Sequence, residues 1–178
     1  VRLFVGIDID DAVRDCAARA VAALQRAGVD GRFEPREKLH VTVAFLGAIE
    51  DALIDDVIAA LDGVRVAPFA FPLERIGAFP SLQRPAIVWL GPRRTQPAFR
   101  ACVTAVQAAL APLGVRFARR PDGRPHLTLA RLRRDTGPLR VSFGPAQVVE
   151  VRADALTLFQ SLPDGKTTRY EVLHRHVL

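Results

Sequence analysis

The chain of 178 residues is 49% apolar and 25% charged, which is enough apolar material for a sizeable core and excludes a disordered chain. Twenty-five Lys and Arg against 19 Asp and Glu leave a formal charge of +6. Lys38 and Lys166 are the only lysines, so the charge is mostly guanidinium, and a phosphate-bearing partner is expected.

Along the chain, residues 2–7 read as a short apolar strand. A helix follows over 12–27, with Asp10 or Asp11 to cap it. Its apolar stripe is Val13, Cys16, Ala17, Ala20, Val21 and Leu24, and Gly28 sits at the left-handed position that closes it. Residues 39–47 form an apolar strand carrying His40 and Thr42. A second helix is expected over 52–61, capped by Asp51 and closed by Gly63, and 69–73 alternates as a strand. Residues 86–90 read as a strand. The next helix, over 98–113, has Thr95 or Gln96 as cap, Pro97 in its first turn, Phe99, Cys102, Val103, Val106 and Leu110 as its stripe, and Gly114 at its end. A second His/Thr strand covers 125–132, and runs at 155–162 and 169–177 flank Pro163-Asp164-Gly165 as a terminal hairpin. Strands and helices mix without strict βαβ alternation, so the expected class is α+β. Both cysteines lie on apolar stripes and read as buried thiols rather than a disulfide.

The two cysteines are 86 residues apart, and the same offset pairs Arg14 with Arg100, Leu24 with Leu110, Gly28 with Gly114, Val29 with Val115, Pro35 with Pro121, His40 with His126 and Thr42 with Thr128. No gap is needed across that stretch, so the chain reads as an internal duplication. The expected architecture is one domain, 1–178, with approximate repeats 1–85 and 86–178. These would form two pseudo-symmetric lobes, each an antiparallel sheet with covering helices, with the active-site cleft between them. Such a closed unit completes its own site and is expected to be a monomer.

Residues i and i+2 of a strand share a face, so each His-x-Thr sets an imidazole beside a hydroxyl while Val41, Val43, Leu127 and Leu129 point to the core. Two imidazoles in one cleft can serve as general acid and general base, since their ordinary pKa of about 6.5 allows one charged and one neutral ring. Two histidines without a third ligand at suitable spacing make a poor metal set, so no metal and no cofactor are expected. His174 and His176 read as structural or solvated residues standing apart. Arginine concentrates around the second motif, at Arg116, Arg119, Arg120, Arg124, Arg131, Arg133 and Arg134, which reads either as a solvated basic face or as a track for a nucleic-acid backbone. The same offset pairs Phe45 with Arg131. Strict alternation turns Arg131 away from His126, so the strand must twist or bulge after Ala130 for Arg131 to reach the cleft. Phe79, expected in a loop, is a candidate stacking surface, whereas Trp89 reads as core.

His40–Gly47 and His126–Arg131, together with Arg2-Leu3-Phe4, Ile7-Asp8, Phe79-Pro80, Val88-Trp89-Leu90-Gly91, Ser161-Leu162, Gly165 and Tyr170, resemble the 2H phosphoesterase superfamily. Within it the similarity is to the RNA 2′,3′-cyclic phosphodiesterases, also called 2′-5′ RNA ligases or LigT-like proteins. The resemblance implies metal-independent hydrolysis of an RNA 2′,3′-cyclic phosphate end to a 2′-phosphate. It implies His40 as proton donor and His126 as proton acceptor, with Thr42, Thr128 and Arg131 on the phosphate. Phe79, Arg119, Arg120 and Arg124 would be RNA contacts, and nucleotides are further candidate ligands. Two other readings stand beside it: 2′-5′ ligation at the same site, and a non-enzymatic RNA-binding module with incidental histidines. No apolar stretch reaches the roughly 18 residues that cross a bilayer, and the amino-terminal segment is too short and acidic for a signal peptide, so a cytoplasmic protein without membrane association is expected.

Overall fold

The computed structural model describes residues 1–117, 124–144, 147–165 and 167–178. Its strands are β1 (Arg2–Ile7), β2 (Gly31–Phe33), β3 (Val41–Ala48), β4 (Phe69–Leu73), β5 (Arg75–Pro80), β6 (Pro85–Gly91), β7 (Leu127–Leu132), β8 (Val149–Ala153), β9 (Ala155–Asp164) and β10 (Thr167–Val177). Its α-helices are α1 (Asp11–Arg26), α2 (Ile54–Asp62) and α3 (Pro97–Leu110). None of the described helices is long and apolar enough to cross a membrane.

The main sheet is antiparallel in the order β10-β9-β1-β3-β7-β6-β5, with β2 also paired to β7, while β4 and β8 form a separate ribbon. The α+β class, with helices over antiparallel sheet and a duplicated plan, therefore holds. The two halves of the main sheet meet at β3 and β7 through the single pair Val41 and Leu127. Those two residues are themselves 86 positions apart, so the local pseudo-twofold axis passes between the two His-x-Thr strands. On one side of it, β3 pairs with β1, and β1 pairs with β9 of the chain-terminal hairpin β9–β10. On the other, β6 and β7 pair with β5 and β2 from the first half of the sequence.

The helices also cross the axis. α1 packs beneath β7 and against β8, α3 packs beneath β3, and α2 lies against α3 and β10. The stripe residues Val13, Cys16, Ala17, Ala20 and Leu24 of α1, and Phe99, Cys102, Val106 and Leu110 of α3, are all buried. Both cysteines are buried free thiols, and burial pushes the Cys102 thiol up to about 11.

Capping is less regular than the sequence suggests. Asp10 caps α1, accepting from the Val13 N–H at 2.9 Å. Asp51 does not cap the second helix: a 3₁₀ turn over Asp51–Leu53 precedes α2, and the Asp51 carboxylate lies 3.4 Å from the N-terminal ammonium of Val1. Gln96 occupies the cap position of α3 without a side-chain bond to it, and Pro97 fills the first helical position, where its missing N–H costs nothing. Gly28 and Gly114 adopt the left-handed conformation expected of them, with φ of 76° and 75°. The terminal hairpin forms, with Gly165 at φ 58° in its turn. His174 and His176 do not stand apart. They converge on Asp62 at the end of α2, His174 Nε2 lying 2.7 Å and His176 Nδ1 3.3 Å from Oδ1, and so tie β10 to that helix.

Candidate active site

The site forms on the sheet face opposite the helices, where β3 and β7 run side by side. His40 Nδ1 lies 2.7 Å from the Lys38 carbonyl and His126 Nδ1 lies 3.1 Å from the Arg124 carbonyl. A carbonyl can only accept, so each Nδ1 carries the proton, and the neutral ring has its lone pair on Nε2. Lys38 and Arg124 are again 86 apart, so the device that fixes the tautomer is duplicated with the histidines. His40 Nε2 lies 3.0 Å from the Thr42 hydroxyl, and Thr42 is one of the few buried polar residues.

Each strand then breaks its alternation at an equivalent residue. Val5 pairs with Ala44 and Gly6 with Thr42, leaving Val43 as an extra residue on β3. Trp89 pairs with Thr128 and Val88 with Ala130, leaving Leu129 as an extra residue on β7. Val43 and Ala44 are therefore both buried, as are Leu129 and Ala130, and the next residue of each strand turns out to the cleft face. In β3 that residue is Phe45, 54% exposed; in β7 it is Arg131. The bulge turns Arg131 out of the core, to the cavity that it lines together with Tyr170.

Aromatic rings wall both histidines. Phe4 lies 4.8 Å from the His40 ring, Tyr170 meets that ring edge-on at 5.4 Å, and Phe4 stacks on Phe159 at 4.9 Å. Gly6 lets His40 lie low over β1, because a Cβ there would come within 3.2 Å of Phe159 and the Val41 carbonyl and 3.5 Å of the imidazole. On the other side Phe79 meets His126 edge-on at 5.1 Å and Trp89 lies 6.2 Å from it. Phe79 is in β5 rather than in a loop, its ring packed on Trp89 at 5.3 Å. Trp89 is buried as expected, yet its ring also borders the site.

Two cavities flank Tyr170. One, of about 490 Å³, is lined by Arg2, Phe4, Phe45 and Pro163. The other, of about 580 Å³, is lined by Arg32, Glu34, Lys38, Arg131 and Thr168. Arg131 Nε lies 3.6 Å from Glu34. Burial foremost, and then the charge of Glu34, push the Tyr170 phenol above its ordinary range. Among the described residues, the arginines near the second motif are spread over different surroundings. Arg116 lines a depression with Leu46 and Leu53 on the helix side, Arg133 pairs with Asp135 at 3.4 Å, and Arg124 is half-buried, meeting His126 through its backbone carbonyl. Arg119 and Arg120 lie outside the described residues.

The sequence reading missed Glu34, Arg32 and Lys38 at the site, and gave Phe4 and Phe45 no part in it. For Phe45 a signal was present, since its repeat equivalent is Arg131. Arg32 and Lys38 lie on β2 and in a 3₁₀ turn, and short segments without periodicity give no such signal.

The description "LigT like Phosphoesterase" matches residues 7–89, which include the first His-x-Thr strand. The RNA 2′,3′-cyclic phosphodiesterase of Archaeoglobus fulgidus is 35% identical over 136 residues, which is 75% of this chain and 74% of that protein. The chain belongs to the LigT-like phosphoesterases. Like its relatives in this two-histidine family, it is a phosphodiesterase. Solved members share the whole architecture. A Thermus thermophilus structure superposes with a TM-score of 0.81 at 25% identity, covering 100% of this chain and 98% of that one. E. coli LigT complexed with 3′-AMP superposes at 0.78 and 26% identity, covering 99% and 97%. The duplicated strand pair is thus part of a LigT-like fold extending beyond the residues that the family description matches.

Proposed function

We propose that this LigT-like phosphoesterase hydrolyses the 2′,3′-cyclic phosphate at an RNA 3′ end to a 2′-phosphate, its two imidazoles making the proton transfers without a metal. The observation that carries this is the symmetric pair of strands, in which each Nδ1 is held by a backbone carbonyl so that Nε2 is the nitrogen presented to the cleft. Water attacks phosphorus and gives its proton to Nε2 of His126. As the P–O3′ bond breaks, Nε2–H of a charged His40 protonates O3′, leaving a 3′-hydroxyl and a 2′-phosphate. The Thr42 and Thr128 hydroxyls donate to the non-bridging oxygens, and Arg131 offsets the charge that develops there. Phe45, exposed beside Phe4, offers an apolar surface to the terminal base. The activity named for the Archaeoglobus relative, and the 3′-AMP held by E. coli LigT, support a ribonucleotide end as the ligand. Every group in the scheme comes from one chain, so a monomer suffices.

The test is an end-group assay on an oligoribonucleotide bearing a 2′,3′-cyclic phosphate, in EDTA. A 2′-phosphate product is expected, with a bell-shaped pH profile. His40→Ala and His126→Ala should each lower the rate by about 10²–10⁴-fold, the usual worth of one acid or base. Full activity in both single variants overturns the scheme. A longer strand when a 5′-hydroxyl RNA is added would instead identify ligation, and binding of RNA without turnover would identify a binding module.

A further inference from the structure

Arg32 of β2 is the direct cross-strand partner of Arg131 of β7. Directly opposite residues of an antiparallel pair share a face and sit close together, and like charges in that position repel. Lys38 adds a third cation to the same cavity. Its ammonium lies 3.3 Å from the Thr168 hydroxyl and 5.3 Å from the centre of the Tyr170 ring, while the His40 ring lies 5.4 Å from that same ring. Lys38 is therefore one aromatic ring away from the reacting centre. The carboxylate lining the cavity is Glu34, 3.6 Å from Arg131, and neither Arg32 nor Lys38 has an ion-pair partner among the described residues.

Three cations and one carboxylate leave two positive charges. A cyclic mononucleotide brings a single negative charge at its reacting phosphate. The end of an RNA strand brings a second, on the phosphodiester joining the terminal nucleotide to the one before it. We propose that Arg32 and Lys38 form a subsite for that preceding phosphodiester, so that this protein selects polynucleotide ends over cyclic mononucleotides. The subsite rests on the function proposed above, in which Arg131 serves the reacting phosphate. Arg32 and Lys38 serve the next one, with Thr168 and Tyr170 as neighbouring hydroxyls.

The test compares kcat/KM for a 2′,3′-cyclic mononucleotide with that for a trinucleotide of the same terminal base ending in 2′,3′-cyclic phosphate. A third substrate is the trinucleotide with an uncharged methylphosphonate at the preceding linkage. The wild type is expected to prefer the charged trinucleotide by about tenfold or more, the worth of a charge-assisted contact. Arg32→Ala and Lys38→Met should each remove most of that preference, Arg32→Lys should restore it, and the methylphosphonate substrate should behave as the mononucleotide does in every variant. Raised salt should erode the preference in the wild type and much less in Arg32→Ala. Equal losses on all three substrates, or no loss on the charged trinucleotide, overturn the subsite while leaving the hydrolase intact. Failure of the wild type to hydrolyse any of the three overturns the function itself, and the subsite with it.

Discussion

At the scale of single residues, the chemistry depends on how two rings are held. A strand presents a histidine to solvent easily; it takes the carbonyls of Lys38 and Arg124 to decide which nitrogen faces the cleft. Thr42 adds a hydroxyl 3.0 Å from His40 Nε2 in a buried position. Thr42→Val is isosteric and should lower kcat by roughly 10–10³-fold by removing a preorganised donor, with little change in Tm; a stopped assay on the cyclic-phosphate oligonucleotide, alongside a melting curve, checks both. A second residue-scale contact lies away from the chemistry. The hydrogen bond from His174, foremost, and the attraction of His174 and His176 hold the Asp62 carboxyl below its ordinary value of 3.8. A carboxyl lowered in the folded state adds stability above its unfolded pKa and loses it as the pH falls through the folded one. Asp62→Asn should therefore melt below the wild type at about pH 6, and the gap should close by about pH 2–3, as followed by circular dichroism.

At the scale of elements, the bulges at Val43 and Leu129 do what an unbroken strand could not. They keep His, Thr and the fifth following residue on one face while two consecutive small or branched residues stay in the core. The flanking strands are shaped to the same end. Trp89 lies flat across Gly77, and a Cβ at that glycine would overlap the indole. Gly77→Ala must displace the ring that borders His126 and supports Phe79. Overpacking of this kind costs about 1–3 kcal/mol, which for a chain of this length is roughly 2–10 °C in Tm. Because the displaced ring walls the site, kcat/KM should fall as well, even at temperatures where the variant is folded. An unchanged rate in a folded Gly77→Ala protein would separate the indole from the positioning of His126.

At the scale of the whole molecule, the duplication is interlocked rather than side by side. β1 and β3 are completed by β9 and β10 from the far end of the chain, while β6 and β7 are completed by β5 and β2. α1 lies under β7 and α3 under β3. Neither half of the sequence can bury its own apolar faces. Fragments 1–85 and 86–178 expressed separately should give no cooperative melting transition, whereas mixing them should restore one together with activity; an independent transition in either fragment would count against a single folding unit.

Much of this was legible in the residues themselves. Helical stripes depend on local spacing, so the faces that α1 and α3 bury could be read directly, as could the thiols on them and the glycines that close them. The repeat offset of 86 survives because both copies kept the same lengths between helix, motif strand and supporting carbonyl. It identified His40, His126, Thr42 and Thr128 as a set and singled out the Phe45/Arg131 exchange. Non-local contacts were not legible. Register is a relation between strands, so only the tertiary structure decided that β3 and β7 meet at Val41 and Leu127, and that an extra residue on each strand turns Arg131 and Phe45 toward the cleft. Only the tertiary structure brought Arg32 opposite Arg131 and Asp62 under His174 and His176, because those partners lie about 100 residues apart and their pairing follows from packing rather than from any pattern along the chain.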